Sequence, residues 1–166
     1  AIKLVAFAKG EGIGALVPDT EDRWFDLVEH HGLSLDTTDA DPRLGVDLAR
    51  QLLRWSTDAA KTGSLDYDDQ LYLVSLWKLR LWRNDVLCVD EAQDVNPVRM
   101  AMMHLALKDG GRLYAVGDRK QSIYGFTGAS TVAMDLIADE FNTSELPLTV
   151  SYRCARSIVE RARSVS

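Results

Sequence analysis

Apolar residues follow two different rhythms along this chain, and the change between them divides it. Up to about residue 82 they recur every three or four positions, the spacing of one face of a helix. Residues 20–31 predict a helix with Trp24, Phe25, Leu27 and Val28 on its apolar side, Thr20 at the capping position and Gly32 at its end. Asp41-Pro42 opens a second helix, with proline at the favoured first position. In it Leu44, Leu48, Leu52 and Trp55 recur at helical spacing with Leu53 alongside, so this face is expected to be buried, and Gly63 is the expected stop. Asp66 is placed to cap a third helix running to about Trp82, with Asp69 at its third position. Capping and complementarity to the helix dipole account for most of Asp66, Asp68 and Asp69. Ahead of all three, residues 2–8 fit either a strand or one helix face, and Gly10, Gly12 and Gly14 break that run.

From residue 85 the pattern becomes short continuous apolar runs, which read as buried strands of a parallel sheet. The runs are Val86-Leu87-Cys88-Val89, Leu113-Tyr114-Ala115-Val116 and Leu146-Pro147-Leu148-Thr149-Val150. Asn96-Pro97 starts a helix after the first run, and Lys108-Asp109-Gly110-Gly111 turns into the second. Ser130 is placed to cap a helix ending near Phe141, and a last helix begins at Arg156. Alternating strands and helices predict an α/β fold, a parallel sheet with covering helices preceded by a mainly helical part.

Each strand run ends in groups that can do chemistry. The first runs into Asp90-Glu91. Parallel strands present their functional side chains at their carboxyl ends. Two adjacent carboxylates there suit a magnesium-nucleotide site, one holding the ion and the other taking a proton from attacking water. For an isolated pair, an acidic loop solvating a strand end is the plainer alternative. This pair is not isolated: the second run ends in a loop from Gly117 to Ala129, and the third in Ser151-Tyr152-Arg153-Cys154. Three such junctions predict one active-site face.

These stretches carry a resemblance. Asp90-Glu91-Ala92-Gln93-Asp94 resembles motif II of the UvrD/Rep-like DNA helicases of superfamily 1. Gly117-Asp118-Arg119-Lys120-Gln121-Ser122-Ile123-Tyr124-Gly125-Phe126, with Gly128-Ala129, resembles their motif III. Leu148-Thr149-Val150-Ser151-Tyr152-Arg153 resembles motif IV, with Ser151 where the family usually has Asn. Asp66-Tyr67-Asp68-Asp69-Gln70-Leu71 resembles the element that precedes motif II. The resemblance runs from about residue 64 to the end and implies part of a RecA-like P-loop NTPase domain using ATP and Mg2+. It implies that Asp90 binds magnesium with Glu91 beside it, and that Glu91 activates the water attacking the γ-phosphate. It implies that Gln93 and Asp94 link nucleotide state to DNA contacts, and that Gln121 senses the γ-phosphate or the water. A loop amide bonded to backbone is the plain alternative for Gln121. Arg153 resembles the arginine that contacts the γ-phosphate, for which a guanidinium fork is well shaped, and Tyr152 the ring that stacks on the nucleotide base. Tyr124 and Phe126, beside Gly125 and Gly128, resemble the aromatics that stack on single-stranded DNA, a contact worth about 1–3 kcal/mol per base.

Composition modifies this reading. The 166 residues are 46% hydrophobic and 27% charged, a globular composition for one domain of ordinary size. The net charge of −6 argues against a surface built mainly for phosphate. The basic stretch with Arg153, Arg156, Arg161 and Arg163, and the sequence tolerance of stacking, soften that objection. No apolar run approaches a membrane span and no signal-peptide pattern opens the chain, so a cytoplasmic protein with no membrane partner is expected. Cys88 and Cys154 have neither disulfide-framework nor metal spacing and are expected to be buried thiols. His30-His31 are adjacent, point apart on a helix and read as solvated. The glycine-rich stretch fails as a phosphate loop, because Ala15-Leu16 follow Gly14 where Lys and Ser or Thr are needed.

The expected organisation is therefore an internal fragment of a larger helicase. Residues 1–63 are expected to be a helical segment from the insertion called 1B, and residues 64–166 the C-terminal part of motor domain 1A. The second motor domain would be a missing partner, and ATP and single-stranded DNA the ligands. A fragment of this kind is expected to be inactive alone. The alternative is a non-catalytic helicase-like module that binds single-stranded DNA or a protein. A nuclease built on Asp90 and Glu91 ranks lower, for want of further clustered carboxylates near them.

Overall fold

In the computed structural model, residues 1–33, 41–121, 132–148, 150 and 152–163 are described. Four helices come first: α1 (Ile2–Glu11), α2 (Glu21–His30), α3 (Pro42–Ala60) and α4 (Asp69–Leu76). They share one core in which Leu4, Phe7, Trp24, Val46, Leu53 and Tyr72 are buried. A βαβ unit follows: β1 (Asn84–Val89), α5 (Pro97–Ala106) and β2 (Leu107–Ala115). Helices α6 (Ala133–Phe141) and α7 (Arg156–Arg163) complete the described elements. A second core joins the inner face of the strands, through Leu87, Val89, Leu113 and Ala115, to Val95, Met103, Ala133 and Ile137.

The opening run is a helix, which decides between the two conformations its pattern allowed. Gly10 lies inside α1, and Gly12 ends it at φ 73°, where its N–H reaches the carbonyls of Ala8 and Lys9. A Cβ at Gly12 would lie 2.8 Å from the Leu16 side chain, so both backbone hand and space require glycine there. The Tyr72 hydroxyl donates to the Ile13 carbonyl at 2.7 Å and ties this turn to α4.

Lys9 is buried to 1% exposure within α1. Its ammonium donates to Ser56 Oγ at 2.8 Å and to Asp66, and lies 2.7 Å from Asp69 Oδ1. Asp69 is itself 1% exposed. Asp66 and Asp69 also cap each other's backbone: the Asp69 N–H donates to Asp66 Oδ1 and the Asp66 N–H to Asp69 Oδ2. The reciprocal capping bonds are present, but the helix they precede begins at Asp69 rather than just after Asp66, and its cap, Asp68, makes no side-chain capping bond; the Asp66 and Asp69 carboxylates also satisfy the buried cation.

Several expectations need correction. The Leu44–Leu48–Trp55 face of α3 is exposed, at 60%, 47% and 56%. The helix has a second apolar face, and it is Val46, Ala49, Leu53 and Ala60 that pack inward, small enough for close approach to α1 and α2. Helix α4 stops at Leu76 rather than Trp82. Lys78 adopts φ 50° and the Leu79 N–H returns to the Val74 carbonyl, a helix ending without its usual glycine. The third apolar run forms no strand over residues 143–148: Leu146 and Leu148 are 86% and 91% exposed, and the sheet of the described residues has two strands. A strand needs an edge to pair with, and this run lies on neither. Both cysteines are exposed, because Cys88 points to the uncovered face of β1 and Cys154 lies in the chain before α7.

Of the two histidines, His30 is exposed as expected, whereas His31 is half-buried and stacks on the Phe7 ring at 3.8 Å. The parallel pairing of β1 and β2 is as predicted, with Leu87 opposite Leu113 and Val89 opposite Ala115. The turn expected at Lys108–Gly111 is an irregularity inside β2, where the register shifts between Asn84 and Val86. Caps at Asp41 and Asn96 are realised, each accepting a backbone N–H, from Arg43 and Arg99.

Candidate functional site

The two parallel strands end side by side, and hydrogen bonds carry the pairing past both ends. The Val116 N–H donates to the Val89 carbonyl at 2.8 Å, and the Ala92 N–H to the Val116 carbonyl at 2.9 Å. Between these bonds the chain turns sharply. Asp90 is exposed and takes the Glu91 N–H on Oδ1 at 2.9 Å. Glu91 sits at φ 49°, ψ 45°, a left-handed conformation that costs a side-chain-bearing residue about 1–2 kcal/mol. A single 3-10 turn, Ala92–Asp94, then leads to the Asn96 cap of α5.

Gln93 is buried to 3% exposure at the centre of this turn. Its Nε2 donates to Glu91 Oε2 at 2.7 Å, and its Oε1 accepts the Asp118 N–H at 3.0 Å. The Asp118 carboxylate in turn accepts the Gln121 Nε2 at 2.9 Å and the Lys120 N–H at 3.0 Å. These bonds, the Gln121 amide first, hold the Asp118 carboxyl below its usual range. Glu91, Gln93, Asp118 and Gln121 thus form one unbroken chain of side-chain and backbone hydrogen bonds. Gly117 makes it possible: a Cβ there would lie 2.5 Å from Gln93 Oε1 and 2.9 Å from Met134 Sδ. Arg119 fixes the second loop from outside, through Asp135 on α6 and Glu145.

A cavity of about 580 Å3 opens beside the first loop. Asp90, Glu91, Asp94 and Arg99 form its polar rim, while Leu87, Met103 and other apolar side chains form its walls. Arg99 donates to the Asp94 carbonyl at 2.7 Å. Among the described residues Asp94 Oδ1 is buried without a hydrogen-bond partner, and burial, then the neighbouring Glu91, raise its carboxyl above the usual range.

Of the residues singled out in the sequence, the structure therefore links Glu91 with Gln121 and sets Asp90 next to Glu91. The Gln121 amide is held by the Asp118 carboxylate rather than by backbone. Tyr152 and Arg153 are exposed, and among the described residues no hydrogen bond or ion pair joins them to Asp90, Glu91 or Gln121. Tyr124 and Phe126 lie outside the described residues. Asp118 and Gly117 were missed as working parts. Their signal was their place at the start of the stretch resembling motif III, a Gly-Asp pair at the end of an apolar run. Lys9 was missed too: it is one of two lysines in a mostly apolar helix, and nothing local sets it apart from the exposed Lys3.

The model of the UvrD/REP helicase N-terminal domain matches residues 48–142, more than half of the chain. Among curated proteins, the "Probable DNA helicase II homolog" of Mycoplasma capricolum is 32% identical over 113 residues, covering 63% of this chain and 16% of that protein. DNA helicase II of Escherichia coli is 34% identical over 80 residues, covering 48% of this chain and 11% of that protein. ATP-dependent DNA helicase Rep of Escherichia coli is 32% identical over 107 residues, covering 59% and 16%. The chain thus spans 11 to 16% of the length of these three relatives. No solved structure matches the chain. No helix among the described residues is long and apolar enough to cross a membrane. With its matched region running from α3 through both strands to α6, this chain belongs to the UvrD/REP helicase N-terminal domain family.

Proposed function

We propose that the chain is part of the first motor domain of an ATP-dependent DNA helicase, which couples ATP hydrolysis to movement on single-stranded DNA and to duplex unwinding. The observation that carries this reading is the hydrogen-bonded chain from Glu91 through Gln93 and Asp118 to Gln121, at the carboxyl ends of two parallel strands. Phosphoryl transfer needs positioning and charge stabilisation more than covalent participation, and this chain supplies positioning. In this reading residues 64–166 belong to a RecA-like motor domain and residues 1–63 to its helical insertion, with a second motor domain as partner.

Within the site, Asp90 holds Mg2+, Glu91 accepts the proton of the attacking water, and Gln121 reports the state of the γ-phosphate. Tyr152 stacks on the nucleotide base, Arg153 contacts the γ-phosphate, and Tyr124 and Phe126 stack on DNA bases. The donor set suits magnesium. Among the described residues no group of three or more metal-ligating side chains converges, and magnesium is bound by one or two carboxylates together with waters and phosphates rather than by a protein cage. Asp90 uses Oδ1 on a backbone N–H, and its Oδ2, without a bond to any other described residue, can take an ion or its water.

The test is equilibrium binding of a fluorescent single-stranded oligonucleotide over a salt series, by the chain and by a Tyr124→Ala/Phe126→Ala variant, alongside phosphate release. Salt-sensitive binding that drops in the variant, without phosphate release, is the expected result. DNA-stimulated hydrolysis by the chain alone would refute its reading as an incomplete motor. Binding that the double variant leaves unchanged would refute the assignment of the stacking aromatics.

A further inference from the structure

On the outward face of α3 lie Leu44, Leu48, Gln51 and Trp55, all exposed, along a groove of about 640 Å3. An exposed apolar stripe rimmed by charge marks a surface that associates. Its spacing alternates four and three residues, the seam of a two-helix coiled coil. We propose that α3 pairs antiparallel with α3 of a second copy of this chain, across a two-fold axis between positions 49 and 50.

The pattern is self-complementary in that arrangement. The two-fold sets Leu44 against Trp55 of the second copy and Leu48 against Gln51 of the second copy. Each layer therefore puts one larger or polar group against a leucine, and every contact occurs twice. Along one flank of the seam the only charges are Asp47 and Arg54, seven residues apart. The same axis brings Asp47 of each copy within two residues of the level of Arg54 of the other, about 3 Å along the helix and within reach of an ion pair on that flank. The opposite flank, Gly45, Leu52 and Ala59, is half-buried and uncharged, so the helices can approach there.

At the ends of the seam the axis sets Asp41 near Asp58 of the second copy, like charges that limit the paired segment to the layers between them, and Asp58 keeps Lys61 as its counter-ion. Arg43 pairs with Glu21, Arg50 with Asp19, and Asp58 with Lys61, all within the chain. Among the described residues Asp47 and Arg54 have no ion pair, and Arg54 makes only a 3.4 Å bond to the Arg50 carbonyl. Covering of the stripe by some other protein segment would not require opposite charges one heptad apart on the same flank of the seam.

Sedimentation velocity of the 166-residue chain over a concentration series tests this, with Asp47→Arg, Arg54→Asp and the double variant carrying both. Both changed positions are exposed, and circular dichroism checks that helicity is kept in all three variants. A monomer–dimer equilibrium is expected. Each single reversal replaces two attractive pairs by two repulsive ones and should raise the dimer dissociation constant about tenfold or more. The double variant restores opposite charges across the axis and should return the constant to that of the parent chain. A chain monomeric at every concentration overturns the proposal and leaves the stripe to another occupant. A dimer indifferent to the single reversals, or not rescued by the double one, overturns it equally.

Discussion

Replacing Lys9 by methionine keeps the length and most of the volume of the side chain and removes one buried charge. The structure makes the cost calculable. Lys9 and Asp69 are each 1% exposed, so without the ammonium the Asp69 carboxylate stays buried with only the Asp66 N–H at 3.0 Å and Ser56 Oγ at 3.3 Å. Breaking one side of a buried ion pair costs about 3–5 kcal/mol, because the remaining charge is uncompensated. Against a typical stability of about 5–15 kcal/mol that is a large share, and it corresponds to a melting point lower by roughly 6–20 °C for a chain of this size. The Asp66 contact adds little, since its carboxylate is 55% exposed and screened. Urea unfolding followed by far-ultraviolet circular dichroism measures the loss. Lys9→Met/Asp69→Leu removes both charges and should recover most of the stability, since an apolar pair of similar volume often replaces a buried ion pair without loss. Burial alone would raise the Asp66 carboxyl, but the Lys9 hydrogen bond and the Asp69 backbone N–H outweigh it and hold it below 3.8. A depressed carboxyl contributes stability above its unfolded value and loses it as pH falls through the folded one. The parent chain should therefore lose stability below pH 3.8 more steeply than Lys9→Met. A Lys9→Met chain within about 1 kcal/mol of the parent would refute the reasoning, since that is the cost of an ordinary substitution.

Three further outcomes follow from other parts of the structure. Gly117→Ala places a methyl 2.5 Å from Gln93 Oε1 and should cost about 1–3 kcal/mol, read as a lowered urea midpoint, with an unchanged midpoint counting against the close packing. Tyr72, pushed up to about 12 by burial first and by Asp19 and Asp69 next, should ionise only as pH approaches 12, seen as a late phase in an ultraviolet titration that Tyr72→Phe abolishes. Its raised value stabilises the fold fully below the ordinary tyrosine value of 10 and progressively less as pH rises towards 12, and Tyr72→Phe should remove that alkaline dependence. Cys88 and Cys154 should both react with a thiol reagent in the folded chain, and a count of one or none would contradict their exposure.

What could be read from the residues alone was whatever is decided locally. The Asp41-Pro42 and Asn96-Pro97 helix starts are set by one side chain and one ring, and both are realised. The parallel strand with carboxylates at its end was legible for the same reason, as four apolar residues meeting two acids. The burial of α3 was not, because Leu44, Leu48 and Trp55 make as good an apolar face as Val46, Ala49 and Leu53, and only the neighbouring helices choose between them. The early end of α4 hangs on Lys78 taking a left-handed backbone that no glycine announces. The third apolar run looked like a strand because its composition suits one, whereas pairing depends on an edge elsewhere in space. The pairing of Lys9 with Asp66 and Asp69 spans 57 or more residues, beyond the reach of any local pattern.

The buried amide of Gln93 has a direction. Its NH2 end must face an acceptor at Glu91 and its oxygen a donor at Asp118, so of the two ways the group can be turned only one makes both bonds. Whatever removes the acceptor at Glu91, by protonating it or drawing it elsewhere, releases one end of a lever whose other end is the backbone of a loop 25 residues further along the chain. Two segments that the polypeptide connects only by way of a helix and a strand are, through this one side chain, nearest neighbours that respond together.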